Sequence, residues 1–182
     1  MTVWSPQHYR KIGQAKGVDP NILERAIEIG ERIIANDHRI QPVFTLRHLS
    51  SLADVDYDML RTGVSRSNAD PYRIFRIRKR PAAGLSAGFR VICVPEPWLS
   101  KVQRWIVDHI LAFAQPHNAS VAYAKGSDIK DAALLHCGCR WLIKLDIRNF
   151  FESVSEIDVY SVFRELNFEP LISFEMARLC TR

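Results

Sequence analysis

A change in the spacing of apolar residues constrains the fold of this chain more than any other feature of its sequence. Apolar residues recur at helical spacing over the first seventy positions, where Asp19-Pro20 is typical of a helix start. Two β-type runs follow, Tyr72 to Lys79 and Phe89 to Val94, and both are rich in β-branched and aromatic residues. Helical spacing returns from Trp98 onwards. The sequence therefore predicts both helices and strands, and we expect an α+β fold.

The two β-type runs also hold most of the positive charge. Six cations and no acid lie between Pro71 and Pro95, whereas the whole chain of 182 residues has a net charge of +5. The runs predict a hairpin, with Pro81, Gly84 and Gly88 in a mobile tip between its strands. A patch of one sign on such a hairpin favours an anionic partner, most often nucleic acid. A basic loop without any partner is the alternative.

Two short helical segments before the hairpin suit a different function. One begins at about Thr45 and the other runs from Tyr57 to Arg61, so a tight turn joins them. Two such helices describe a helix-turn-helix regulator of transcription. Because the turn carries no glycine, we favour the alternative that these helices pack on the rest of the chain.

A short apolar run ends in the carboxylate on which the functional prediction depends. The residues from Trp141 to Asp146 predict a buried strand, and a carboxylate after such a strand faces the crevice where α/β sheets bind ligands. Hard carboxylate oxygens suit Mg²⁺, which takes one or two of them together with phosphates. A turn-capping acid is the usual alternative. However, Phe150 and Phe151 follow at once, where a solvated turn prefers polar residues.

The same segment resembles a known family. The eleven residues Lys-Leu-Asp-Ile-Arg-Asn-Phe-Phe-Glu-Ser-Val, which run from Lys144 to Val154, are similar to the first catalytic motif of reverse transcriptases of the retron and group II intron type. Four further blocks match that family in order: the two hairpin strands, Leu99 to Ile106, Ser120 to Gly126, and Asp131 to His136 with Asp131 in place of an asparagine. Several blocks in family order are far more specific than one motif.

The resemblance implies roles for individual residues. Asp146 would be the catalytic carboxylate and a ligand of two Mg²⁺ ions, and the backbone carbonyl of Ile147 would assist at one ion. Phe151 would pack against the sugar of the incoming nucleotide and exclude a 2′-hydroxyl, which implies a deoxynucleotide substrate. Lys79 and Arg90 would contact the phosphates of that nucleotide. The residues expected to bind nucleic acid are Arg73, Arg76, Arg78, Arg80 and His136.

The resemblance also implies a right-hand polymerase fragment, with an N-terminal helical segment (1–70), a fingers subdomain (71–140) and the first part of the palm (141–182). The complete protein is expected to synthesise DNA on a structured RNA template, through an RNA–DNA hybrid, in phage defence with an effector protein. The family's Tyr-x-Asp-Asp motif does not occur in these 182 residues, so this chain alone is expected to be inactive. A degenerate, non-catalytic nucleic-acid-binding module is the alternative.

The cysteines bear on the compartment and on a further kind of site. Cys93, Cys137, Cys139 and Cys180 are too few and too unevenly spaced for a disulfide framework, so a cytoplasmic location is expected. No run approaches the roughly 20 apolar residues of a membrane span, and no membrane partner is expected. His136 and the two cysteines after it invite a zinc site. Zinc needs a fourth ligand, so we favour a structural or RNA-contacting His136. No nucleophile motif indicates a hydrolase.

Overall fold

Two blocks of helices flank a hairpin along the chain. The computed structural model describes residues 4–67, 70–78, 88–114, 116–117, 119–121, 126, 128–147 and 149–182. Within these ranges the helices are α1 (Pro6–Ala15), α2 (Pro20–Ile34), α3 (Leu46–Ala53), α4 (Tyr57–Ser65), α5 (Pro97–His109), α6 (Ile129–Leu134), α7 (Phe150–Ser153), α8 (Glu156–Glu165) and α9 (Pro170–Cys180). The strands are β1 (Tyr72–Arg78) and β2 (Phe89–Pro95), and the 3₁₀ turn Leu111–Phe113 follows α5. The mixture of helix and sheet agrees with the α+β prediction.

Side-chain caps determine where several helices begin. The side chains of Asp19, Thr45 and Asp56 accept hydrogen bonds from backbone N–H groups in the first turns of α2, α3 and α4. At the start of α8, Ser155 and Asp158 form a reciprocal capping box, in which each side chain accepts from the backbone N–H of the other. Such caps satisfy N–H groups that have no partner inside the helix, so the sequence itself fixes these boundaries.

One hydrophobic core joins helices from both ends of the chain. Helix α9 packs against α8, α4 and α5, and α3 packs against α4 and α5. The rings of Phe163 in α8 and Phe168 before α9 are fully buried and meet edge to face, with centroids 6.2 Å apart. The helices of residues 20–65 therefore bury their apolar faces against residues that lie about a hundred positions later. None of the helices in the described ranges is both long and apolar enough to cross a bilayer.

The predicted hairpin is confirmed. Strands β1 and β2 pair antiparallel, with Tyr72 opposite Pro95 and Arg78 opposite Phe89. Helix α5 packs against β2, whereas most side chains of both strands beyond the base are exposed. The tip that was predicted to be mobile, with Pro81 and Gly84, lies outside the described residues.

The segment predicted as a buried strand is neither a strand nor buried. Residues 141–147 have no regular secondary structure, and the side chains of Trp141 and Leu145 are 89% and 87% exposed. A strand needs a neighbour that exchanges backbone hydrogen bonds with it. In the part of the chain that the structure describes, β1 and β2 form the one sheet, and they pair only with each other. The strand prediction was therefore wrong here. An apolar run shows that a segment is able to form a strand, but it does not show that a neighbouring strand is present.

Candidate active site

The pairing of the hairpin strands divides its cations between two faces. Because successive side chains of a strand point to opposite faces, Arg76 and Arg78 lie on one face and Arg73 lies on the other. Arg90 is opposite Ile77, so it shares the face of Arg73. The hairpin therefore presents positive charge in two directions rather than as one surface.

These four arginines are available to an external anion. All four are exposed, and no carboxylate of the described chain lies within ion-pair distance of any of them. The guanidinium of Arg73 lies over the ring of Phe75, 5.7 Å from its centroid, and this contact leaves its charge uncompensated. The two remaining cations of the patch, Lys79 and Arg80, lie outside the described residues.

Asp146 lies in the exposed segment 141–147, followed by a turn that leads into α7. Its side chain is exposed, and Ile147 next to it is 65% exposed. Asn149 has a φ of 54°, a left-handed conformation that asparagine tolerates, and α7 begins at the next residue. The structure thus brings Asp146 and Ile147 close to α7 through the chain itself. No hydrogen bond or ion pair joins Asp146 to the described residues of the hairpin.

Two aromatic rings project from the start of α7. Phe150 and Phe151 are 48% and 68% exposed, and their rings meet edge to face with centroids 5.3 Å apart. Exposed neighbouring rings are costly in water and are a feature of surfaces that contact a ligand or another part of a protein. The rings therefore add an apolar contact surface beside the carboxylate of Asp146.

The region around His136 holds no assembled metal site in the described residues. His136, Cys137 and Cys139 are all exposed and follow α6 in a turn where Gly138 has a φ of 84°. The Cys137 thiol lies 3.6 Å from the carbonyl oxygen of Ala133 and donates to it. No group of three or more His, Cys, Asp or Glu side chains comes together in the ranges that the structure describes.

The geometry of α3 and α4 opposes the helix-turn-helix alternative. A recognition helix contacts DNA with its N-terminal residues, whereas α4 has Asp56 as its N-cap and Asp58 in its first turn, and their charges repel phosphates. Leu60 in α4 is fully buried, and α4 packs against α9. Asp54 supplies the left-handed residue of the turn, with a φ of 49°, which explains how a turn without glycine is made. The favoured alternative, that these helices pack on the rest of the chain, agrees with this structure.

A cavity of about 730 Å³ lies at the base of the hairpin, between α4, β1 and the end of α9, and Asp146 does not line it. Its lining contains charges of both signs: four acidic residues and three arginines, which are Arg66, Arg178 and Arg182. Arg182 pairs with Asp70 at 2.8 Å. The charges of the lining therefore do not indicate a ligand of one sign.

Sequence reasoning missed two polar bridges near that cavity. Arg66 follows α4 and contacts both Glu156 of α8 and the backbone carbonyl of Thr181, at 3.1 Å and 3.3 Å. Gln103 of α5 donates hydrogen bonds to the hydroxyl of Tyr72 and to the backbone carbonyl of Leu179. Arg66 gave no signal in the sequence.

Gln103, in contrast, carried a signal. It lies four residues after Leu99 and next to Val102, on a face whose other members, including Ile106, are apolar and buried. Its partner Tyr72 is half-buried, and burial raises the pKa of its phenol, so the hydroxyl stays protonated. A polar residue on an apolar helix face indicates a hydrogen-bond partner in the core.

Comparison with known proteins identifies relatives over about half of the chain or more. The retron Ec83 reverse transcriptase of Escherichia coli is 32% identical over 100 residues, which are 55% of this chain and 30% of that protein. The retron Ec86 reverse transcriptase of Escherichia coli is 28% identical over 109 residues, 60% of this chain and 33% of that protein. The retron Se72 reverse transcriptase of Salmonella heidelberg (strain 579083-10) is 30% identical over 142 residues, which are 77% of this chain and 36% of that protein.

No protein-family model matches the chain. The chain spans about a third of the length of the curated relatives described above. The similarity extends to several retron proteins rather than to one, and their identities to this chain lie between 28% and 32%. This chain is thus similar in sequence to part of the retron-type reverse transcriptases, the family that its motifs resemble.

Proposed function

We propose that this chain is part of an RNA-directed DNA polymerase of the retron type and supplies that enzyme with a catalytic carboxylate and a cationic hairpin. The observation that carries the proposal is the similarity to several proteins named retron reverse transcriptases. The accessible Asp146, in the segment that resembles the family's first catalytic motif, supports it.

Asp146 and Ile147 would hold Mg²⁺. A carboxylate and a backbone carbonyl are oxygen donors of the kind that Mg²⁺ prefers, and both residues are accessible to an ion. Bound Mg²⁺ neutralises the charge that develops on a transferring phosphoryl group. The described residues bring together no group of three or more His, Cys, Asp or Glu side chains, so the two-metal site needs further carboxylates from the complete enzyme. For that reason we propose that this chain alone makes no DNA.

The cationic hairpin would bind the substrates. Arg90, together with Lys79, contacts the phosphates of the incoming deoxynucleotide, and Phe151 packs against its sugar. The exposure of Arg90 and the lack of an acidic partner among the described residues support this role. The residues proposed to hold the RNA template are Arg73, Arg76, Arg78, Arg80 and His136. Such contacts weaken as salt concentration rises, because each one releases counterions.

The proposal also assigns the parts of the chain. Residues 1–70 form a helical segment, residues 71–140 the fingers, and residues 141–182 the start of the palm. The exposed apolar side chains of residues 141–147 then pack against the remainder of the palm. The complete protein acts on a structured RNA, in phage defence with an effector protein.

The test is a substitution at Asp146 in the complete enzyme. Asp146→Asn keeps the size of the side chain and removes its charge, so primer extension on an RNA template should fall below detection while RNA binding stays within about twofold. Glu165→Gln is the matched control, because Glu165 is an exposed carboxylate at the end of α8, outside the motif. It should leave extension unchanged.

Normal extension by Asp146→Asn would contradict the catalytic assignment. If the variant lost both RNA binding and primer extension, the substitution would instead disrupt the fold or the RNA surface. A complete protein that binds RNA and never extends a primer would favour the non-catalytic binding module.

A further inference from the structure

The side chain of Gln103 links three elements through one nitrogen atom. Its Nε2 atom lies 2.9 Å from the hydroxyl of Tyr72 in β1 and 2.8 Å from the backbone carbonyl of Leu179 in α9. A carbonyl can only accept, so the amide must point its nitrogen at Leu179, and its two hydrogens serve the two partners. Gln103 therefore ties the first residue of the hairpin to the last turn of α9.

This bridge matters because the hairpin has few other attachments. Most of its side chains beyond the base are exposed, and its described contacts with the helices are those of β2 with α5 and of Tyr72 with the core. At the base, the backbone N–H of Glu96 donates to the carbonyl of Pro71 at 2.8 Å, but this bond joins the two ends of the hairpin to each other. It does not set the angle between the hairpin and the helices.

A second tie to α9 is weaker than the first. Arg182 donates to Asp70, just before β1, at 2.8 Å and lies 4.0 Å from the Sγ atom of Cys93 in β2. Both side chains of the ion pair are more than a third exposed. Exposed ion pairs contribute little, because water screens the charges and the side chains lose freedom. The Gln103 bonds are partly buried, where water competes less for the amide and for the carbonyl. Among the side-chain hydrogen bonds that tie the hairpin to the end of the chain, those of Gln103 are therefore the least exposed to water.

We propose that Gln103 is a positioning residue, which sets the angle of the hairpin and thereby holds Arg90 where it meets the phosphates of the incoming nucleotide. That Gln103 sets the angle follows from the geometry of the bridge. That this angle places Arg90 at the nucleotide rests on the proposed function. A residue that only stabilised the fold would leave nucleotide affinity unchanged in the folded enzyme.

The kinetic test uses the complete enzyme with Gln103→Met, which keeps the length of the side chain and removes both hydrogen bonds. The KM for deoxynucleotide should rise about five- to tenfold, as expected for the loss of hydrogen bonds that orient a substrate-binding group, with kcat within about twofold. Tyr72→Phe removes one of the two bonds and should give a smaller rise, which does not add to that of Gln103→Met. Gln14→Met, at an exposed position of α1, is the matched control and should leave both constants unchanged.

A distance measurement separates this inference from the proposed function. Spin labels at Val91→Cys in β2 and Leu171→Cys in α9, both exposed, report the angle of the hairpin once Cys93, Cys137 and Cys139 are changed to serine. The distance distribution should broaden or shift in Gln103→Met and stay unchanged in Gln14→Met.

An unchanged distribution in Gln103→Met overturns the inference. A changed distribution without a rise in KM also overturns it, since the angle then has no bearing on the nucleotide. If the wild-type enzyme makes no DNA at all, the proposed function fails. The label distances then still decide whether Gln103 sets the angle.

Discussion

Truncation of Phe163 tests whether the two ends of the chain share one core. The ring is fully buried in α8 and meets the buried ring of Phe168 edge to face, at a centroid distance of 6.2 Å and an interplanar angle of 90°. Phe163→Ala removes the buried ring and leaves a cavity, which costs about 3–5 kcal/mol in protein cores. That range includes about 0.5–1.5 kcal/mol for the aromatic pair. Since whole domains are stable by about 5–15 kcal/mol, the variant should be close to unfolding.

The assay is urea unfolding of the 182-residue chain, followed by circular dichroism. The midpoint should fall strongly in Phe163→Ala while the slope of free energy against urea stays the same, because the surface exposed on unfolding hardly changes. Ile157→Ala is the matched control in the same helix, since Ile157 is 74% exposed and should cost less than about 0.5 kcal/mol. If Phe163→Ala were as stable as this control, the reasoning that α8 belongs to a core shared with residues 20–65 would be refuted.

Two further predictions concern titratable groups. Burial lowers the pKa of His48 below its usual 6.5, so below pH 6.5 the unfolded chain binds a proton that the folded chain resists. The free energy of unfolding should therefore fall as the pH drops below 6.5, by up to about 1.4 kcal/mol per pH unit. The fall should be less steep in His48→Gln. Urea unfolding at several pH values measures both slopes, and equal slopes would contradict the prediction. Burial raises the pKa of Cys180 to about 12, whereas the other three cysteines are exposed. A thiol reagent at pH 8 should modify three cysteines quickly and the fourth only after denaturation; a fourth fast thiol would disprove this.

The elements that could be predicted from the sequence are those set by local chemistry. The apolar spacing and the Asp19 cap define α2, and the alternation along β2 predicts that Phe89, Val91 and Cys93 share one face, as the pairing register has them. Both patterns depend on residues a few positions apart, so the sequence contains all the information that they need. The same alternation applied to β1 would also have separated Arg73 from Arg76.

The elements that could not be predicted depend on partners far along the chain. The run 141–146 has the composition of a strand but lies exposed, because no described segment pairs with it. The apolar face around Gln103 indicates that its amide needs a partner, but no local pattern shows that the partners lie 31 and 76 positions away. At the candidate site, Asp146 was identified by resemblance to a family motif. Its distance from the cations of the hairpin depends on tertiary packing.

The shared core also has a consequence for the order of events during synthesis on the ribosome. Helices α2 to α5 are translated first, but their apolar faces are completed by Ile172, Met176 and Leu179 of α9. At about 5–20 residues per second, several seconds separate the emergence of α5 from that of α9. During that interval the nascent chain exposes an incomplete apolar surface, which is the kind of surface that chaperones bind. The segment that carries Asp146 emerges within this interval, before α9 completes the core.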